Sequence, residues 1–433
     1  MDKKRSKFKI VLIIILLLIL GTALFFKFAD AKYKNAVVKE VSTWPIVRSL
    51  IGLTVQGDYE KNVMDTGFDE NNVGVNQGVA KKLTGYTNIA LFGLDSRHDE
   101  FETGTHSDTI MVISINNDTN AVRIASVYRD TMLKVMDREG GEHYTKANQG
   151  FFKGGVEGAV SMLNTNLDLD ITDYVVINFN GLTEIVDSLG GLDIEITEEE
   201  KKYINFYLVE TRKITGLDAD DITESGPVHL NGLQVTSYCR IRYTPFYDSE
   251  GKKYSDDLGR TARQRFVIEE LVKKIKKAGV TEIVSIAKDI MNKNTEDNTF
   301  IKSSLQYNEV MDLIPVLIDY NIEDTTGFPF TLDTPTIRGE SMVVAQGLSY
   351  NVEQLHKFLF DEENYAVSQE VQDISDYIMN YTGLGEVRLP EETESTEEET
   401  GESDESESAE EETGESDESG SAEELSRMGE GLE

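Results

Sequence analysis

Arginines and aspartates recur at places where a purely structural chain gains little from them. Asp95 and Arg97 follow the first apolar run (NIALFGLDSR), Asp108 opens the second (HSDT), and Arg129 closes the third (YRDT). Arg240 and Arg242 lie two apart in YCRIRY, and Asp257, Arg260, Arg263 and Gln264 open a long helical pattern. Strand ends are where α/β proteins place ligands. Arg260 and Arg263, three apart, share a helix face near an N-terminus, where backbone N–H groups already favour an anion. Six arginines among three aspartates suit a phosphate, because guanidinium offers a permanent charge and a fork of donors. Carboxylates among them suit a hard cation such as Mg²⁺. Each residue alone has a plainer reading: Asp95 capping a turn, Asp257 capping a helix, Arg129 pairing a surface acid. No P-loop, dinucleotide fingerprint or HExxH is present, so nucleotide hydrolysis is not the natural reading.

The elements that must hold these residues are legible from periodicity. NIALFGLD reads as a buried strand; residues 109–116 and 121–128 flank the turn NDTN as a hairpin. Residues 156–167 are amphipathic and helical, and YVVINF (174–179) is a strand. LTEIVDSL is a helix stopped by Gly190 and Gly191, and LDIEI is the next strand. YCRIRY reads as a strand with Arg240 and Arg242 side by side on one face, an arrangement that needs an anion between them. GRTARQRFVIEELVKKIKKAG is a long helix with Val267, Ile268, Leu271, Val272 and Ile275 as its apolar stripe. Mingled strands and helices make the fold class α/β or α+β, with helices on both sides of a mixed sheet.

The chain of 433 residues carries 79 acids against 42 bases, a net charge of −37. About half of that charge lies in residues 389–433, where EETGESDESESAE (398–410) recurs as EETGESDESGSAE (411–423). This tandem repeat is too polar to bury anything and is expected to be disordered. The overall acidity argues against nucleic-acid partners. One cysteine, Cys239, rules out an intramolecular disulfide and a cysteine-built metal site. At the N-terminus a basic segment (1–9) precedes an apolar stretch (10–28) of about the length that crosses a bilayer, flanked by Lys9 and Lys27. It reads as an uncleaved single-pass anchor in the cell membrane, N-terminus cytoplasmic and the rest extracellular; cleavage after Ala29-Asp30-Ala31 is the other reading. The expected organisation is an accessory stalk (29–80), one catalytic domain (81–388) and the acidic tail (389–433).

The order GLDSR, SDT, SVYRDT, KAN, YVVINFNG with IVDSLGG, LNGLQVTSYCRIRY and DDLGRTARQ resembles the LytR–CpsA–Psr family of membrane-anchored cell-wall proteins of Gram-positive bacteria. The resemblance runs over residues 87–279 and more loosely to 385. It implies an α/β/α sandwich with a lipid pocket. It implies a phosphotransferase that moves a glycopolymer, such as a teichoic acid or capsule, from a polyprenyl-pyrophosphate carrier to peptidoglycan, at the 6-hydroxyl of N-acetylmuramic acid. Carried over by motif, Asp95 and Asp108 would hold Mg²⁺ or Mn²⁺, and Asp95 is the aspartate that would serve as base. Arg97, Arg129, Arg240 and Arg242 would grip the pyrophosphate, and Asp257, Arg260, Arg263, Gln264 and Lys146 would complete the head-group site. Asp95, Arg97, Asp108 and Arg129 form the expected catalytic set. Candidates for the lipid pocket are Phe151, Phe152, Ile177, Phe179, Leu182, Ile185, Val186 and Phe266. The sequence departs from the family pattern at His106, at Tyr128 in place of proline, and over residues 149–152. Two rival readings stand beside this one: a lipid-pyrophosphate hydrolase using the same site, and a non-catalytic wall-binding or regulatory protein.

Overall fold

A computed structural model describes residues 73–95, 101, 104–294, 299–305, 310 and 320–387. The expected anchor, most of the stalk, Arg97 and the acidic tail lie outside the described residues. Among the described residues no helix is long and apolar enough to cross a membrane.

After a single helical turn, α1 (Gln77–Ala80), the chain enters β1 (Tyr86–Leu94), β2 (Ser107–Asn116) and β3 (Ala121–Val127). The three form an antiparallel meander, as the alternation and the NDTN turn dictate. The hairpin β4 (Met132–Met136) and β5 (Glu142–Lys146) leads into α2 (Gln149–Leu167). Next come β6 (Asp173–Ile177), α3 (Phe179–Ser188) and β7 (Leu192–Ile196). Then follow α4 (Glu198–Thr215), β8 (Gly226–Leu230), α5 (Gly232–Tyr238), the short pair β9 (Phe246–Tyr247) and β10 (Lys253–Tyr254), and α6 (Asp256–Lys277). The last described elements include α7 (Val280–Lys293), β11 (Ile301–Ser303), β12 (Asn321–Phe328) and two terminal helices, α8 (Leu348–Phe360) and α9 (Gln369–Thr382).

The main sheet has the order β11-β6-β1-β2-β3-β12 and is mixed. β6 runs parallel to β1, and β12 parallel to β3. Its two faces feed different cores, because side chains alternate along a strand. Ala90, Phe92, Leu94, Val112, Ala125 and Val127 point into a large core closed by α2, α8 and α9. Leu91, Met111, Ile113, Val122 and Ile124 point the other way, against Ile268 of α6. A second core gathers Val186, Ile194, Ile204, Leu230, Val235 and Val267 from α3 to α6. The stripe on α6 is therefore split: Val267 and Leu271 face this second core and Ile268 faces the sheet.

One expectation is met and one needs correction. LDIEI forms β7 as expected, and pairs with β8 in a hairpin separate from the main sheet. YCRIRY is not a strand: Tyr238 ends α5, Cys239 and Arg240 form a turn, and Ile241 to Tyr243 are irregular. The cause is upstream. Asn231 accepts from the Gln234 backbone N–H while the Gln234 side chain reaches back to the Asn231 N–H. This reciprocal cap starts a helix that runs through residues of good strand propensity.

His356 on α8 sits in the large core with its Nε2 at 3.0 Å from the Leu167 carbonyl oxygen, its ring stacked 3.6 Å from that of Tyr365. Burial pulls its pKa from 6.5 down to about 4. Between those values the unfolded chain holds more protons, so neutral His356 supports the fold above pH 6.5. That support is lost as pH falls toward 4. Between pH 7 and pH 5 the wild type should lose on the order of 2 kcal/mol more than His356→Gln, read from urea midpoints at each pH. Equal losses in the two proteins would show that His356 is not the titrating group.

Candidate functional site

The site is built at the ends of β1, β2 and β3 and the start of α6. Gly93 pairs with Thr109 and Leu94 with Ser107, so Asp108 is the extra residue of a β-bulge. A bulge bends the strand and re-aims its side chain. Asp108 then meets Arg129, which follows β3: its Oδ1 lies 2.8 Å from Arg129 Nη1, and its Oδ2 lies 3.6 Å from Arg260 Nη1. Ser255 precedes α6 as its cap residue, so Asp257 stands inside the first turn and the plainer reading of it as the cap does not hold. Its Oδ1 is a hub, 2.7 Å from Arg260 Nη2, 3.6 Å from Arg129 Nε and 3.7 Å from Arg242 Nε.

Three guanidiniums thus surround two carboxylates, an excess of one positive charge. Arg260 is 4% exposed, and Arg129 and Asp257 are largely covered. Burial pushes the Asp108 carboxyl up, but Arg260 and Arg129 beside it win and hold it below the usual range. Burial pulls Arg260 down to about 10, against the attraction of Asp257, so it stays charged at neutral pH. Several donors remain uncommitted. Arg129 Nε, Arg260 Nε and Arg260 Nη2 are buried without a hydrogen bond, the 2.7 Å ion pair notwithstanding. Arg260 Nη2 and Arg129 Nε lie 2.7 and 3.6 Å from Asp257 Oδ1, which is also buried without a hydrogen bond, so charge attraction holds them; buried donors lacking hydrogen bonds are costly, and an anion's oxygens would satisfy them.

Other residues expected here are committed elsewhere. Arg240 donates to Glu210 Oε2 at 2.6 Å and Thr211 Oγ1 at 2.9 Å, and it lies over the rings of Phe179 and Tyr207. Arg240 and Arg242 therefore turn to different carboxylates, Glu210 and Asp257. Arg263 is fully buried, its fork taken by Glu200 at 2.9 Å and the carbonyls of Pro245 and Ile241. It holds α4, α6 and the turn after α5 together and presents nothing to a ligand. Gln264 donates to the Cys239 carbonyl while its Oε1 is buried without a partner. Lys146 reaches Asp130 at 3.1 Å, and Asp130 lies 3.8 Å from Arg129 Nε. Asp130, Glu210 and Tyr207 were given no part from sequence. The RD pair was the one signal for the first, and the other two lie on α4, which has no chemical motif. Asp95 follows β1 next to the bulge and is exposed.

The lipid-pocket candidates divide. Phe151 is sealed in the large core against Phe92, and Val186 is sealed in the second core, so neither has surface to offer. Leu182 and Phe266 pack on the second core and are partly open. Ile177, Phe179 and Ile185 are half-buried, and Phe152 is exposed with its ring stacked on His106.

Fold and site together define an α/β protein with a cluster of arginines and aspartates at the ends of its strands. The chain belongs to the LytR_cpsA_psr family, whose model matches residues 53–330. It is 28% identical over 241 residues to the polyisoprenyl-teichoic acid–peptidoglycan teichoic acid transferase TagU of Bacillus cereus, spanning 54% of this chain and 68% of that one. It is 24% identical over 288 residues to the corresponding transferase TagV of Bacillus subtilis, 64% of each chain. A solved structure of the family protein YwtF (TagT) with bound octaprenyl pyrophosphate lipid matches at TM-score 0.42 and 17% identity, covering 69% of this chain and 91% of that one.

Proposed function

We propose that this chain transfers a glycopolymer from a polyprenyl-pyrophosphate carrier to a hydroxyl of peptidoglycan, the 6-hydroxyl of N-acetylmuramic acid. The observation that carries the reading is the cluster of Arg129, Arg242 and Arg260 around Asp108 and Asp257, with buried donors left over, in a family whose curated relatives bear the transferase name. A pyrophosphate would take the uncommitted N–H groups. The acceptor oxygen forms a bond to the glycan-side phosphorus, the bond to the bridging oxygen breaks, and polyprenyl phosphate leaves with its electron pair. The charge that builds on the leaving phosphate is matched by guanidiniums already fixed in place, so little reorganisation is needed. Asp95, on the exposed end of β1, would take the hydroxyl proton.

Asp95 and Asp108 stand at neighbouring strand ends, which suits Mg²⁺ or Mn²⁺ whose shell is completed by phosphate and water. The ion would neutralise pyrophosphate charge there. Phe152, Ile177, Phe179 and Ile185 are the open apolar side chains left for a polyprenyl tail. The reading keeps the anchor at 10–28, with the catalytic domain outside the cell.

Lipid retention tests it. Full-length protein extracted in mild detergent should release polyprenyl phosphates into organic solvent, detected by mass spectrometry, and Arg129→Ala/Arg260→Ala protein should not. Failure of the folded wild type to bind added polyprenyl pyrophosphate would end the transferase reading in favour of a binding module.

A further inference from the structure

A second charged feature lies on the other side of α6. A groove of about 1120 Å³ runs between α6, the start of α4, the β9–β10 pair and β12. None of Asp108, Arg129, Arg242 or Arg260 lines it. Three properties of its wall converge.

The first is Arg265. It lines the groove and is 4% exposed. Its Nη1 is buried without a hydrogen bond, and among the described residues it has no ion pair within reach. Burial lowers its pKa, against the hydroxyl-bearing rings of Tyr128 and Tyr254 and, more weakly, the carboxylates of Glu269 and Asp248. A guanidinium taken out of water without a carboxylate is costly unless something supplies one. The second is the rim. Nine lining residues are Asp or Glu and four are Lys or Arg. Glu250 and Asp324 on that rim are exposed. Such a rim repels polyphosphate and nucleic acid, and this chain's own acidic repeat as well, while favouring an ammonium group. The third is β12, the last strand of the main sheet, paired on one side with β3. Residues 321–326 of β12 line the groove. A strand edge offers main-chain N–H and C=O groups to an extended peptide.

We propose that this groove binds a short peptide carrying both a carboxylate and an ammonium group, with Arg265 as the partner of the carboxylate. The carboxylate sits on the buried fork, the ammonium faces the acidic rim, and the peptide backbone lies along β12. Identifying that peptide with the stem peptide of the peptidoglycan acceptor rests on the transferase reading. The site itself rests on Arg265, the rim and the strand edge. On that identification the groove holds the acceptor's peptide while the glycan hydroxyl is presented on the other side of α6.

The test is calorimetric titration of the full chain in detergent micelles. The probe is a synthetic tripeptide: an N-acetylated lysine followed by two alanines with a free C-terminal carboxylate. The free acid should bind at least about tenfold more tightly than its C-terminal amide, because the lost contact is a charge-assisted bond to a buried arginine. Acetylating the lysine side chain should weaken binding about threefold, and the double change Glu250→Gln/Asp324→Asn should remove that difference. Arg265→Met should reduce binding of the acid to that of the amide, with Arg265→Lys in between. Should Arg265→Met not fold, the acid–amide comparison on the wild type decides. Equal binding of acid and amide, or no binding of either, overturns the proposal. Inorganic pyrophosphate titrated into the same protein separates the two claims. Peptide binding without pyrophosphate binding would sink the transferase reading and uphold the groove; pyrophosphate binding without peptide binding would sink the groove alone.

Discussion

Exchanging Arg129 for glutamine should lower polymer transfer by about 10³-fold or more, with a much smaller effect on folding. Arg129 touches both carboxylates of the cluster, Asp108 at 2.8 Å and Asp257 at 3.6 Å, and its Nε is one of the buried donors without a bond. Glutamine keeps a donor near Asp108 but removes the charge and the fork. The anion then meets two guanidiniums facing two carboxylates, with no positive excess left. Asp108 and Asp257 are each still contacted by Arg260, so neither is stranded, and the stability cost should stay near 1–2 kcal/mol. Peptidoglycan-bound radiolabel and urea midpoints measured on the same preparation separate the two effects. A variant that transfers within tenfold of the wild type would show that Arg129 is not at the reacting phosphate.

The largest effect on stability belongs to the carboxylate that holds Arg263, a residue the sequence placed in the head-group site. Glu200→Gln should destabilise the fold by roughly 3–5 kcal/mol. Glu200 accepts from Arg263 Nη2 at 2.9 Å and Nε at 3.2 Å, and Arg263 has no exposed surface. Removing the carboxylate charge leaves a buried guanidinium with carbonyl partners alone. Glu200 also closes the capping box of α4 with Thr197, a contact that glutamine can keep as Gln234 does in α5, so the cost falls on Arg263. The double change Glu200→Met/Arg263→Met should recover most of the loss, because an apolar pair of similar volume avoids the desolvation of both ions. Denaturant unfolding of the two variants checks this. A Glu200→Gln protein as stable as the wild type would mean that Arg263 is not held in the way its geometry requires, and would return it to the anion site.

The contrast between Arg129 and Arg263 shows what a sequence discloses and what it withholds. β1, β2 and β3 were readable because their alternation survives with one buried face on each side. α6 was readable because its stripe is long and its first turn is acidic. Asp108, Arg129, Asp257 and Arg260 were readable as polar residues at element ends, and tertiary packing does bring those four together with Arg242. Arg240 and Arg263 carried the same signature, but their partners, Glu210 and Glu200, lie on α4, some thirty to sixty residues away in the chain. Nothing local distinguishes an arginine awaiting a ligand from one already matched to a distant acid. YCRIRY misled for a related reason: its strand-like composition was overridden by a cap seven residues upstream of Tyr238. Arg265 is the reverse case, a residue with no motif to mark it, notable because its Nη1 is buried without a hydrogen bond among the described residues.

The most direct measurement combines the full-length chain, Mg²⁺, a polyprenyl-pyrophosphate-linked glycopolymer with labelled sugar, and purified peptidoglycan, followed by recovery of both products. The account predicts equal amounts of polyprenyl phosphate and of label joined to peptidoglycan through a phosphodiester, neither of them formed with EDTA or with Arg129→Gln protein. Polyprenyl phosphate released while the label stays free in solution would contradict it, since the same arginines would then be serving water as the nucleophile and the chain would be a hydrolase.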